Sequence, residues 1–187
     1  MASILKVDKI RGTGLDSDSI SIDGSGNIST TKTLSAPGHV LQVKAVSYKG
    51  GISTTSTSHT AITDLAVTIT PVATSSKMLI TFNGFTYLSN YTRYMQMSIQ
   101  RNVGGAGAAD ISGTTLYTNN DPDGLFRLYD ADSHISYRNA GFQFIDSPNT
   151  TSSIVYEPTF RRGVDSATCY IGAANMVTTF SVMEIAG

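Results

Sequence analysis

The chain has 187 residues, a formal net charge of −1 and only 14% charged residues, so it lacks the basic surface that nucleic acid demands. Trp is absent, and the lone cysteine, Cys169, cannot close an intrachain disulfide. No apolar run approaches the ~20 residues of a membrane helix, and the polar surface has to come from Ser, Thr, Asn and Gly.

Residues 4–10 read as a short strand, with Ile4, Lys6, Asp8 and Ile10 on one side and Leu5, Val7 and Lys9 on the other. Their charges interrupt any apolar signal core, so synthesis in a cytoplasm is expected. So short a strand cannot fold alone and should pair with copies of itself or with another protein. Residues 19–22 and 27–30 flank Asp23-Gly24-Ser25-Gly26, a hairpin signal. Pro37-Gly38 then punctuates the chain. These features divide it into an extended attachment segment, 1–36, and one domain, 37–187.

Within the domain, strands are expected over 39–49, 65–70, 77–88, 91–101, 134–145, 153–161, 167–172 and 177–186, with short extended pieces at 61–64 and 114–117. The first of these places Leu41, Val43 and Ala45 on one face. Leu65, Val67 and Ile69 point inward, as do Met78, Ile80 and Phe82, and then Met95, Met97 and Ile99. A phase slip near Asn139-Ala140-Gly141 predicts a bulge. Pro158 lacks a donor, which predicts an edge strand or another bulge for 153–161. Residues 50–58, 103–113 and 119–132 read as loops. No amphipathic helix of ten residues occurs. The expected fold is all-β, an antiparallel jelly-roll sandwich behind a short extended N-terminal segment.

Few residues offer chemistry. In the acidic stretch 119–132, Asn119, Asp121, Asp123 and Asp130 stand at positions one, three, five and twelve, with Gly124 at six. That is the spacing with which a calcium loop wraps oxygens around the ion. Asn at position one, Asp at position twelve and the lack of flanking helices count against it, and a solvated turn explains the same residues; no cofactor or metal is expected. His39, His59 and His134 lack ligand spacing. Glu157 and Glu184, the only glutamates, are not placed by the sequence as a catalytic pair. No nucleophile elbow or phosphate loop appears, so no enzymatic activity is expected. Cys169 alternates with apolar neighbours and reads as a small buried side chain. Tyr87, Tyr91 and Tyr94 gather beside Arg93. With Asp130 and Asp132 they form the candidate receptor-facing set, although strand packing or an intersubunit surface accounts for the same aromatics.

A set of phrases in fixed order carries a family likeness: Met1-Ala2-Ser3-Ile4-Leu5, Ile20-Ser21-Ile22-Asp23-Gly24, Pro37-Gly38-His39-Val40-Leu41, Ile69-Thr70-Pro71 and Ser181-Val182-Met183-Glu184-Ile185. In these the chain resembles short tail-fibre-like virion structural proteins of marine bacteriophages and cyanophages. The resemblance implies a C-terminal domain similar to the jelly rolls of the complement globular head and tumour necrosis factor families, which trimerise through one sheet edge and the inner strands. It implies a homotrimer in the virion, with residues 1–36 contacting other virion proteins and the domain facing a host surface glycan or protein. Nucleic-acid binding and membrane insertion are not expected. A capsid or neck decoration protein is the alternative, and a glycan-depolymerising spike stands behind both.

Overall fold

The structure, a computed structural model, describes residues 9–10, 20–30, 37–89, 93–110, 125–130, 137–163, 168–173 and 175–187. The chain forms two compact units, 1–36 and 37–187. In the first, β1 (Lys9–Ile10), β2 (Ile20–Ile22) and β3 (Ile28–Thr30) make a three-stranded antiparallel sheet in the order β1-β2-β3. Its hairpin turn is closed by Asp23, whose carboxylate accepts from the backbone N–H groups of Ser25 and Asn27 and from the Asn27 side chain, at 2.8–2.9 Å. The Asn27 side chain, then the backbone donors, hold the Asp23 carboxyl below its ordinary value.

The second unit is built from β4 (Val40–Lys49), β5 (Ile52–Thr54), β6 (Thr60–Ala61), β7 (Val67–Ile69), β8 (Lys77–Leu88), β9 (Arg93–Val103), β10 (Ala108–Asp110), β11 (Phe126–Asp130), β12 (Tyr137–Asp146), β13 (Ile154–Arg162), β14 (Cys169–Ile171) and β15 (Val177–Ile185). Its only other regular element among the described residues is a 3-10 turn at Thr63–Leu65. One sheet runs β4-β15-β8-β12, with β5 and β14 extending β4 and β15. The other places β9 between β13 and the pair β10/β11, and β6/β7 on the far side of β13.

Taken as composite strands β4/β5, β6/β7, β8, β9, β10/β11, β12, β13 and β14/β15, the first pairs with the last, the second with the seventh, the third with the sixth and the fourth with the fifth. This is a long antiparallel ribbon rolled into two facing layers, which defines a jelly roll and hides edges that would otherwise template aggregation.

The layers meet over Met78, Ile80 and Phe82 of β8, Met95, Met97 and Ile99 of β9, Ile154, Tyr156 and Phe160 of β13, and Phe180 and Val182 of β15, all 0% exposed. Each such side chain contributes about 1.5–3 kcal/mol by leaving water. The inward rows expected for 65–70, 77–88 and 91–101 are found, and Cys169 is buried as expected.

Several expectations are corrected. Strand β12 pairs with β8 in unbroken register from Tyr137↔Tyr87 to Asp146↔Met78, so there is no bulge at 139–141. The irregularity lies instead between Glu184 and Ile185, opposite β4. Strand β13 is not an edge strand. Its Pro158 carbonyl accepts from Ile62 N–H at 2.9 Å. The missing donor therefore faces the interval between β6 and β7, where the ladder is already interrupted. The loop expected at 119–132 contains strand β11, the loop at 103–113 contains β10, and Asp64 lies in the 3-10 turn rather than in an extended piece. In β4 the core side is Val46 and Tyr48; Val43 and Ala45, two of the row read as one apolar face, lie on the outer side. The expected strand at 114–117 lies outside the described residues.

Where β14 passes into β15, Gly172 adopts φ +74°, and its N–H donates to the Phe85 carbonyl at 2.6 Å. A Cβ there would overlap the Gly50 carbonyl oxygen. Gly172→Ala is therefore expected to cost roughly 2–3 kcal/mol, left-handed strain plus displaced backbone; equilibrium urea unfolding reads this as a lower midpoint at unchanged slope.

Candidate functional site

The outer side of the β4-β15-β8-β12 sheet is the most distinctive surface of the domain. Strand β8 alternates strictly, with its even-numbered residues buried from Met78 to Leu88 and Leu79, Thr81, Asn83, Phe85 and Tyr87 facing outward. The register extends each of these into a cross-strand row. Leu79 lies between Ile145 and Met183, and Val43 continues that row. Thr81 lies between Gln143 and Ser181, and Asn83 between Gly141 and Thr179. Tyr87 lies between Tyr137 and Tyr170. The face thus carries an aliphatic band, then an amide-and-hydroxyl band, then an aromatic band. No charged residue falls within these rows.

The aromatic band is closely built. Tyr87 and Tyr170 stack with ring centroids 4.3 Å apart and planes 1° apart. Tyr137 lies 5.3 Å from Tyr87 and 5.5 Å from Phe85. Burial, followed by the neighbouring phenols of Tyr170 and Tyr137, pushes the Tyr87 hydroxyl above its ordinary pKa. Beside this band lies a shallow depression of about 450 Å³ lined by Thr81, Asn83, Asn139, Gly141 and Gln143, with the stacked rings of Phe82 and Phe142 beneath. Exposed apolar side chains frame the face: Tyr137 is 58% exposed, Ile145 61% and Val43 53%.

The outer side of the opposite sheet is different in kind. Gln100 donates to Glu157 at 2.7 Å, and the Arg127 guanidinium lies 4.1 Å over the Tyr94 ring. Residues 56–59 lap over it: Arg161 donates to the Thr57 carbonyl, and the Thr159 hydroxyl meets His59 Nδ1 at 3.0 Å. This is an ordinary polar surface, charged and internally hydrogen-bonded.

The candidate receptor-facing set is therefore divided. Tyr87 belongs to the uncharged face of one sheet; Tyr94 stands on the outer side of the other, opposite Tyr129, which is 56% exposed. Arg93 and Asp130 pair in β9 and β11 through their backbones. Tyr91, Asp132 and the calcium-spaced Asn119, Asp121 and Asp123 lie outside the described residues, as does His134. Among the described residues no group of three or more His, Cys, Asp or Glu side chains converges as metal ligands, and no helix is long and apolar enough to cross a membrane. Phe85, Tyr137, Tyr170 and Asn83 are the members of the face that motif reading passes over. Their signal was the uncharged outward row of β8, which alternation alone treats as solvent-facing.

The two glutamates serve different places. Glu157 lies on the outer side of its sheet, whereas Glu184 is 0% exposed. Its carboxylate accepts from the Val72 N–H at 2.7 Å, the Ser76 hydroxyl at 2.6 Å and the Gln42 side-chain amide at 2.5 Å. These donors are neutral, and they tie β4, the 70–76 turn and the last strand together. Asp146, 7% exposed, accepts from Arg101 and from the Tyr156 hydroxyl at 2.6–2.7 Å, linking the two sheets. Burial, then the bond to Asp146, raises the Tyr156 pKa far above its usual range. Burial also pushes the Cys169 thiol up to about 12, which leaves it without nucleophilic character at neutral pH.

No protein-family model matches the chain, and no curated protein does. Among solved structures, its layout is similar to that of the infectious bursal disease virus Gt strain, at TM-score 0.39 and 10% identity over 96% of this chain and 43% of that one. It is also similar to the VP2 subviral particle of the same virus, at TM-score 0.33 and 10% identity over 95% and 46%. The chain spans less than half the length of these proteins, and at such TM-scores and identities the likeness transfers neither a function nor an assembly.

Two outcomes are expected from this geometry. Glu184→Ala removes a buried acceptor from three donors, of which the Ser76 hydroxyl is itself buried, and should lower stability by about 2–4 kcal/mol, read as a lower denaturation midpoint. The Asp23 turn is held by the ionised carboxylate, so its contribution is present above the ordinary value of 3.8 and is lost as pH falls through the lowered value. The Ser25 and Asn27 amide resonances should therefore move together with a midpoint below 3.8 in an NMR titration.

Proposed function

We propose that the protein is a non-enzymatic virion structural protein that assembles as a homotrimer through the uncharged outer face of the β4-β15-β8-β12 sheet. The observation that carries this reading is the face itself. Rows of Val43, Leu79, Met183 and Ile145 and of Tyr137, Tyr87 and Tyr170 bracket a neutral hydroxyl-and-amide band. A surface depleted of charge and rich in aromatics has the composition of an interface core. The ordered phrases shared with tail-fibre-like phage proteins support the virion setting and the number three.

In this reading Tyr87 serves association between copies. Host contact falls to the opposite side and its loops, where Tyr94, Arg127 and Tyr129 offer a cation stacked on an aromatic beside an exposed phenol. Three weak sites on one trimer gain avidity toward a repetitive glycan or protein surface. The two glutamates do not make a catalytic pair: Glu157 is bonded to Gln100, and Glu184 is committed to the fold. A tail fibre is preferred over a capsid or neck decoration protein because the sequence phrases favour it; localisation on particles by electron microscopy separates them.

The decisive measurement is mass in solution. The wild-type chain should run at three times 19.8 kDa. Asn83→Arg would carry an unpaired charge into the neutral band, where its desolvation is uncompensated. It should shift the protein to single-chain mass with its circular dichroism intact. Tyr129→Arg, on the other outer side, should keep the trimer. A wild-type monomer, or a trimer indifferent to Asn83→Arg, would overturn the reading.

A further inference from the structure

The small sheet of the first unit sorts its side chains as cleanly as the domain does. Its register sets Ile10 opposite Ile20 and Ile22 opposite Ile28. These four isoleucines share one face with Thr30, which stands opposite Ile20, while Lys9, Ser21 and Ser29 share the other, where the two serine hydroxyls lie 2.7 Å apart. Ile28 is 69% exposed, Ile10 49% and Ile22 38%. Strands of two or three residues in a three-stranded sheet do not hold together in water by their ladder alone. Asp23 accounts for the closure of the hairpin turn, but no bond of the sheet covers its apolar side.

We infer that this isoleucine face is a second association surface, and that its occupant is the same face of other copies of this chain. A foreign partner would need something by which to be selected, and selection among proteins rests largely on charged and polar patterning. The face offers no charge and, beside its four isoleucines, a single hydroxyl, that of Thr30, so a second copy of the same face matches it in kind. Supply of the partner follows from the covalent chain. Only residues 31–36 separate the sheet from the domain. Copies joined through their domains therefore hold their isoleucine faces at high effective concentration, so a contact too weak to form between free chains forms within the assembly. The inference rests on the oligomeric reading of the domain and adds to it that the first unit is held together by its own copies, leaving its Lys-and-Ser side outward for whatever the particle presents.

The test uses the full chain with single cysteines. Cys169 stays in place, since it is fully buried and its thiol is pushed up to about 12. Ile28→Cys places a thiol on the isoleucine face; Ser29→Cys, the adjacent residue, places one on the opposite side. After mild oxidation, a non-reducing gel should show covalent dimers for Ile28→Cys at ten-fold or more the yield for Ser29→Cys. Ile22→Cys should repeat the Ile28→Cys result, which guards against one poorly tolerated substitution. Light scattering on the same unoxidised samples reports the assembly. If the trimer mass is retained but the Ile28 and Ile22 variants do not crosslink, or crosslink no better than Ser29→Cys, the isoleucine face meets something else and this inference is wrong while the domain reading survives. If the samples are monomeric, the domain reading fails and takes this one with it.

Discussion

Between Lys77 and Leu88 strand β8 has no further charge, and it stands between β12 on one side and β14/β15 on the other. The rest of the domain is arranged around that constraint. Its inner row, Met78, Ile80, Phe82 and Leu88, must be covered by the second sheet, and β9 and β13 supply Met95, Met97, Ile99, Tyr156 and Phe160 to do so. Its outer row, Leu79, Thr81, Asn83, Phe85 and Tyr87, imposes a parallel demand on the other side, which nothing in the second sheet can meet. A central strand that is apolar or neutral in both directions buries half of its surface in the sandwich and presents the other half outward, where the proposed association would cover it.

Two carboxylates buried in the domain join strands that are distant in sequence. Asp146 closes the end of β12 against Arg101 and Tyr156 across the sandwich. Glu184 gathers the first strand, the turn before β8 and the last strand onto one carboxylate. Each sits where strands distant in sequence must meet, which is the costly step in a topology that pairs first with last. Such groups are expensive to bury and strongly destabilising when half removed, so they fix one pairing against its slipped alternatives.

Much of the fold was legible because β7, β9 and β13 each have one apolar row and one largely polar row, and period two then identifies the core side; in β8 the unbroken run Met78, Ile80, Phe82 marks it. Two of the failures share a physical cause, apolar residues on the outer side of one sheet. In β4, Val43 and Ala45 belong to the outer face, while the core side holds Val46 and Tyr48 together with Gln42, which reaches Glu184. Around 139–141 the apparent phase slip arose because Tyr137 and Ile145 are large apolar residues that point outward, on the same side as Gly141. Pro158 misled for another reason: a missing donor matters only toward the neighbour that would accept from it, and sequence does not say that this neighbour is a turn. The division of Tyr87 from Tyr94 was likewise invisible, since it depends on β8 and β9 lying in different sheets.

The errors in β4 and β12 are informative because they are not scattered. Both fall on the sheet that contains β8, and both consist of apolar residues occupying the side that a monomeric sandwich would give to water. A half-buried strand is expected to alternate because one side is solvated; the failure of alternation on neighbouring strands β4 and β12 is the feature that the proposed association would account for. The same reasoning applied to the first unit reaches four isoleucines on a sheet too small to have a core. On the proposed reading both surfaces, each low in charge, are covered by copies of the same chain, which requires no second partner to be selected for either.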